Sequence, residues 1–159
     1  MRPLTLAMAF GIAMLLSAPL QAGSDTSEFS YERFADEQSV DHPLYCMYGY
    51  FASKTGDHET ARKIFDRCVN EAHNPAAMIY LSLFYEEGLG TDPDPGKAQE
   101  LVEMAARQGY SVGQYLHGKA LLENATDEAT RKEAFGWLER AAAQGDKDAA
   151  ELLRSVRAY

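Results

Sequence analysis

The sequence predicts an all-α protein in which about three helical hairpins stack into a solenoid and a further C-terminal helix caps the stack. The segment KAQELVEMAARQGY, residues 97–110, recurs as EAFGWLERAAAQGD, residues 133–146, at an offset of 36 residues. Both copies carry apolar residues at the i, i+3, i+4 and i+7 positions of one helix face. A hairpin of this length cannot bury its apolar face alone, so neighbouring hairpins are expected to stack on it.

The three repeat copies differ in how well they align with one another. The second and third copies align without gaps, whereas the first helix of the first copy aligns at an offset of 33 and its second helix at 37, so its loop is about four residues shorter. We predict a repeat domain over 42–159, with repeats at about 43–74, 75–110 and 111–146 and a cap at 147–159.

Helix boundary signals recur with the repeats. Asp57, Asp94 and Thr130 occupy equivalent positions at the start of the second helices, and all three are residue types that cap helix N-termini. Gly109 and Gly145 follow the last apolar residues of those helices in copies two and three, where a left-handed residue ends a helix. These concordant signals support the hairpin interpretation.

The clearest copy resembles a known repeat. The stretch AAMIYLSLFYEEGLGTDPDPGKAQELVEMAARQGY, residues 76–110, is similar to the Sel1-like repeat, a relative of the tetratricopeptide repeat. The resemblance implies a tetratricopeptide-like solenoid that works as a scaffold and binds other proteins through the face lined by its first helices. The residues that match the family pattern are Ala77, Leu81, Tyr85, Gly88, Gly90, Asp94, Lys97, Ala98, Ala105, Ala106 and Gly109.

Two departures from the family pattern lie in first helices. Ser82 stands where the family usually has Gly, and His117 stands where it has Leu. Since a buried imidazole needs partners, His117 is expected to be hydrogen-bonded, exposed by a bend, or part of an interface.

The N-terminus, residues 1–22, reads as a secretory signal peptide: Arg2 precedes an apolar run, and Ala22 is a small residue at the cleavage point. The run from Leu4 to Leu16 is shorter than the roughly 20 residues that span a bilayer, although an uncleaved anchor stays an alternative. We expect an exported protein without stable membrane insertion after cleavage, and a bacterial periplasm is favoured because the charged region is so short.

An acidic tail, residues 23–41, follows the predicted signal peptide. Its composition favours a flexible segment, and the alternative is a tail that docks on the repeats through Phe29, Tyr31 and Phe34. The whole chain carries a formal net charge of −9. Nucleic acids and anionic membranes need a basic footprint, so the expected partner is another protein or a peptide segment.

The loop GLGTDPDPGKA, residues 88–98, superficially resembles a phosphate-binding loop. Five residues rather than four separate Gly90 from Gly96-Lys97, and Ala98 follows where Ser or Thr would hold magnesium. A calcium loop beginning at Asp92 would need Gly where Lys97 stands. The four His residues lack metal-ligand spacing, and no nucleophile and base are paired. We therefore expect no cofactor, no metal and no enzymatic activity.

The two cysteines, Cys46 and Cys68, lie on the two helices of the first hairpin, and their mean position, residue 57, falls in the turn. Facing residues of an antiparallel hairpin have a constant sum of positions, so these side chains should meet. An exported chain can retain the bond, which predicts a structural disulfide.

A stripe of equivalent positions supplies the predicted contact residues. Tyr45, Met78 and Gln114 depart from the family's small and apolar pattern, and together with neighbouring Glu86 they are predicted to touch a partner. The sequence thus predicts an adaptor or regulator in a bacterial envelope complex or signalling pathway. The alternatives are a small hydrolase acting on cell-wall material and a structural subunit of an envelope machine.

Overall fold

A computed structural model describes residues 30–158, and within this range the chain forms eight α-helices and no strand. Every helix but the first packs chiefly on its neighbours along the chain, which confirms the predicted all-α solenoid of hairpins. The predicted signal peptide and Phe29 lie outside the described residues. The helices are α1 Tyr31–Glu37, α2 Tyr45–Lys54, α3 His58–Asn70, α4 Pro75–Glu87, α5 Pro95–Arg107, α6 Ser111–Glu123, α7 Glu128–Ala143 and α8 Lys147–Arg157.

Two of the three predicted N-caps are confirmed. The carboxylates of Asp57 and Asp94 each accept a hydrogen bond from the backbone N–H three residues on, at 3.2 and 3.0 Å. The prediction for Thr130 is wrong, because α7 begins one turn earlier at Glu128 and Asp127 is its cap. Asp127 accepts from the backbone N–H of Thr130 at 2.8 Å and from its hydroxyl at 3.0 Å. These bonds, the backbone one first, lower the pKa of the Asp127 carboxyl.

The predicted helix stops are confirmed. Gly109 and Gly145 have φ values of 87° and 93°, a left-handed conformation that glycine adopts without strain. Gly88 ends α4 in the same way at φ 70°, and Gly90, at φ 64°, continues the turn into the loop. The loop therefore separates two helices of one hairpin.

The described part of the acidic tail docks on the first hairpin. Residues 31–37 form α1, whose Phe34 ring lies 4.0 Å from the Tyr48 ring and 5.7 Å from the Tyr45 ring, centroid to centroid. The sequence left open whether the tail is flexible or docks on the repeats. Its described part docks, through Phe34.

Arg67 on α3 fixes α1 in place. Its guanidinium donates to the backbone carbonyls of Ala35 at 2.8 Å and Gln38 at 3.1 Å, and to the hydroxyl of Tyr45 at 2.8 Å. The Tyr45 hydroxyl in turn donates to the Ala35 carbonyl at 2.9 Å. On the other edge of the guanidinium, Nε of Arg67 donates to the Glu71 carboxylate at 2.8 Å. Burial raises the pKa of the Tyr45 phenol, so this hydroxyl stays a neutral donor. The buried polar groups at this junction are thus paired.

Two glycines of α6 let this helix approach α5 and α7 closely. A Cβ at Gly113 of α6 would lie 2.7 Å from the backbone nitrogen of Ala106 in α5. A Cβ at Gly118 would lie 3.0 Å from side-chain atoms of both Leu138 and Trp137 in α7. Glycine is therefore required at these two contacts for backbone-level packing rather than for a special φ.

The core is divided into two clusters of buried side chains. The larger one extends from α1 to α5 and contains Tyr45, Phe65, Met78 and Leu81. The smaller one joins α7 to α8 through Leu138 and the cap helix, with Tyr115 and Leu122 of α6 packed against it. Among residues 30–158, no helix has the length and apolar character needed to cross a membrane.

Candidate functional site

The predicted disulfide between Cys46 and Cys68 is confirmed. The bond joins α2 to α3 with a Cα–Cα distance of 5.9 Å and closes a sequence separation of 22 residues. Cys68 is fully buried, so the bond lies against the core of the first hairpin. The bond therefore constrains the hairpin whose first helix, α2, carries the exposed side chains of Met47 and Phe51.

The predicted contact stripe needs a correction. Tyr45 and Met78 have no exposed surface and Gln114 is only 5% exposed, so these three side chains do not offer a surface to a partner. The positions are equivalent, as the alignment implied, but they face the inside of the stack. Met78, for example, accepts a weak hydrogen bond from Gln108 on its sulfur at 3.7 Å.

Gln114 has a structural role in the third repeat. Its Oε1 accepts a hydrogen bond from Nε2 of Gln144 at 2.7 Å, and its own amide donates to the carbonyl of Ala106 at 3.5 Å. The Gln144 amide also donates to the carbonyl of Gly109 at 3.0 Å. The polar residue at a core position is thus satisfied, and it ties the ends of α5 and α7 to α6.

An exposed apolar surface lies on the same first helices, two to six residues after Tyr45 in α2 and two to five residues after Met78 in α4. We call it the apolar strip and define it as Met47, Tyr50, Phe51, Tyr80 and Leu83. The Tyr50 ring connects the two hairpins, since its centroid lies 5.9 Å from that of Phe51 in α2 and 5.6 Å from that of Tyr80 in α4. Four members are exposed and Tyr50 is half-buried. A contiguous apolar surface of this kind marks an interaction site more often than scattered residues do.

The strip is rigid where it crosses α4. The Tyr80 ring stacks on the buried Phe65 ring of α3, with centroids 5.1 Å apart and planes 9° apart. One face of Tyr80 is therefore held by the core while the side chain remains exposed. Burial raises the pKa of the Tyr80 phenol further above neutral pH, where the phenol is uncharged.

Glu86, the fourth predicted contact residue, is exposed and lies at a cleft next to the strip. The cleft is formed by α4, α5 and α6 and has a volume of about 290 Å³. Leu83 belongs to both the strip and the cleft wall, so the two features are continuous. His117 also lines the cleft, and its ring meets the Trp137 ring edge to face at 5.3 Å. Sequence reasoning did not find this cleft.

Two cationic side chains, one from α3 and one from the 88–98 segment itself, hold this loop. Arg62 of α3 donates to the carbonyl of Gly90 at 2.9 Å, and Lys97 donates to the hydroxyl of Tyr85 at 2.6 Å. This bond raises the pKa of the Lys97 amine. Within residues 30–158, no group of three or more His, Cys, Asp or Glu side chains is placed to hold a metal ion.

Comparison with known proteins agrees with the hairpin geometry. The family model described as Sel1 repeat matches residues 75–110 and 111–146. The chain is similar to the human protein named Protein sel-1 homolog 2, with 40% identity over 63 residues. That alignment covers 40% of this chain and 9% of the human protein, so the chain spans only a small part of this relative.

Two solved structures share the architecture. A Sel1 repeat protein from Oxalobacter formigenes matches with a TM-score of 0.61 and 25% identity, over 75% of this chain and 52% of that one. A protective antigen present in uropathogenic Escherichia coli strains, described as displaying an SLR fold, matches with a TM-score of 0.52 and 25% identity, over 70% of this chain and 28% of that one. The chain therefore spans about half or less of each. The repeats, the fold and these likenesses agree that the chain contains two Sel1 repeats, at residues 75–110 and 111–146, and repeats of this kind generally serve as protein–protein interaction modules.

Proposed function

We propose that this protein is an exported interaction adaptor that binds a segment of another protein along the apolar strip, as part of an envelope complex or signalling pathway. The observation that carries the proposal is the strip itself, a contiguous set of exposed apolar side chains on two successive first helices. Interface cores are enriched in Tyr, Phe and Met, the residue types that make up four of its five members.

The strip is also built in a way that favours binding. Met47, Tyr50 and Phe51 lie three and four residues apart on α2 and so share one helix face. The backing of Tyr80 by Phe65 fixes a large side chain before any partner arrives. A fixed aromatic side chain loses little conformational entropy on binding, so more of the contact energy remains for affinity.

Export is supported by the covalent chemistry of the first hairpin. The Cys46–Cys68 disulfide persists in oxidising compartments and is rare where thiols are kept reduced. With the signal-peptide character of residues 1–22, it supports a periplasmic location.

A matched pair of methionines tests the proposal. Met47 on α2 is 43% exposed and belongs to the strip, whereas Met104 on α5 is 44% exposed and lies on a second helix. Met47→Asp is expected to weaken binding of the partner protein at least tenfold, because an ionised carboxylate would have to be desolvated in an apolar interface. Met104→Asp introduces the same charge at equal exposure and should leave binding unchanged.

The measurement is co-purification from an envelope extract, followed by titration of the isolated partner by calorimetry. Circular dichroism of both variants controls for folding. A partner that both variants retain equally would contradict the strip as the binding surface, and so would one that both lose.

A further inference from the structure

The cleft beside the apolar strip is lined by both apolar and charged side chains. Leu83, Val102 and Leu116 contribute apolar wall, and Glu86 and Glu123 contribute two carboxylates. Its volume of about 290 Å³ lies at the lower limit for pockets that hold small molecules. The cleft is therefore of a size for one large side chain rather than for a cofactor.

His117 makes the cleft more than a pair of acidic residues. The residue is only 7% exposed, and within residues 30–158 neither of its nitrogens takes part in a hydrogen bond. In the same range, the one fully enclosed side-chain polar atom without a partner is Nδ1 of His58, so the unpaired imidazole edge of His117 opens to the cleft. Buried polar groups in native proteins are nearly always paired. An imidazole edge without a protein partner at the wall of a cavity is available to a polar group of a ligand in the cleft.

The charge of the cleft selects the sign of that ligand. Two carboxylates, Glu86 and Glu123, face one cation, Lys119. The Lys119 amine lies 3.8 Å from the Glu123 carboxylate, and both side chains are largely exposed, so this ion pair is weak and easily rearranged. An incoming cation can therefore find one carboxylate without a lysine partner and compete for the other.

We propose that the cleft binds an arginine side chain of the partner segment that lies on the apolar strip, an assignment that rests on the proposed function. The aliphatic stem of arginine suits the walls formed by Leu83, Val102 and Leu116. Its planar guanidinium has five N–H donors, enough for the carboxylates and for a nitrogen of His117 together. Because Leu83 belongs to both features, the anchored segment would pass from apolar contacts to this ionic one without a gap.

The proposal is tested with Nα-acetyl-arginine amide as the probe. Trp137 is the only tryptophan of the chain and its ring contacts the His117 ring, so its fluorescence reports on the surroundings of His117 at the cleft. We expect a saturable fluorescence change and shifts of the Lys119 and Ala120 amide signals in NMR spectra. Nα-acetyl-citrulline amide, which has the same shape without the charge, should bind about tenfold more weakly. Equal binding of the two probes would overturn the proposal.

Variants that remove one charge from the cleft test whether it prefers a cation or an anion. Glu86→Gln is expected to weaken arginine-probe binding about threefold, whereas the adjacent Glu87→Gln, which removes the same charge outside the cleft, should not. Lys119→Gln removes a competing cation and should strengthen binding about twofold. The opposite signs for Glu86→Gln and Lys119→Gln would mean that the cleft prefers an anion, which refutes the proposal.

The failure of this inference can be told apart from the failure of the proposed function. Met47 belongs to the strip and does not line the cleft, so Met47→Asp should weaken partner binding at least tenfold and leave probe binding intact. Loss of partner binding in Met47→Asp without any probe binding to the wild type refutes the arginine site alone. Probe binding to the wild type without a strip-dependent partner refutes the adaptor function alone.

Discussion

Reduction of the Cys46–Cys68 disulfide is expected to lower the free energy of unfolding by about 3 kcal/mol. The bond closes a loop with a sequence separation of 22 residues, and in the chain-entropy model a loop of this size restricts the unfolded chain by about that amount. Since the bond joins α2 to α3 at a fully buried sulfur, its loss also loosens the hairpin that carries Met47, Tyr50 and Phe51. Marginally stable domains have only about 5–15 kcal/mol in total, so the effect is large.

Urea denaturation of the same protein with and without a phosphine reductant measures this difference. The double variant Cys46→Ser/Cys68→Ser is the control, because a reductant has no bond to break in it and its transition should not move. Coincident oxidised and reduced transitions in the wild type would contradict a stabilising role for the bond.

Gly113→Ala is expected to destabilise the protein by about 1–3 kcal/mol through overpacking. The added Cβ would lie 2.7 Å from the backbone nitrogen of Ala106 and 2.9 Å from the carbonyl carbon of Ala105. Both are backbone atoms at the end of α5, which cannot rotate away as a side chain would. The contact between α5 and α6 must then open, and this is the contact that joins the second repeat to the third.

Gly136→Ala provides a control of opposite sign. Gly136 lies within α7, and a Cβ built there meets nothing within 4 Å. The same substitution should therefore stabilise the protein by about 0.5–1 kcal/mol, because alanine loses less backbone entropy in a helix interior. Urea denaturation of both variants measures the pair, and shifts in the same direction would show that close approach of α5 and α6 is not what requires Gly113.

Local physical signals made the hairpin architecture predictable. The helical period, the caps at Asp57 and Asp94 and the left-handed glycines Gly109 and Gly145 act within one turn of the chain, so sequence contains them. The disulfide followed from hairpin symmetry alone. Thr130 was wrongly predicted as the N-cap of α7. Asp127, one turn earlier, caps this helix by accepting a hydrogen bond from the backbone N–H of Thr130.

The exposed apolar face that we propose for binding was not predictable from the same signals. The first helix of the first hairpin is apolar nearly all round, with Tyr45, Met47, Tyr48, Tyr50 and Phe51 in seven residues. Periodicity then shows which side chains share a face but does not show which face the neighbouring helices cover. Equivalence across the copies indicated Tyr45, but the exposed position lies two residues further along, at Met47.

The cleft depends on contacts between repeats and so lies beyond single-helix reasoning. Its walls come from three helices, and His117 was recognised in sequence as an unusual residue at a usual leucine position. The structure buries His117 at the cleft against Trp137, so it is not exposed by a bend, and its expected place in an interface stays a prediction. Glu86 was predicted to touch a partner because it neighbours the contact stripe. It lies at the cleft, whereas Met78, the stripe residue on the same helix, is buried.

Site-specific photo-crosslinking tests the central claim, that a partner protein lies on the apolar strip, most directly. A benzophenone-bearing residue is placed at position 83 in one preparation and at position 104 in another, since Leu83 and Met104 have similar exposure on a first and a second helix. A crosslink to one and the same partner from position 83 and none from position 104 is the predicted result. Crosslinking from position 104 alone, or from both positions equally, would contradict it.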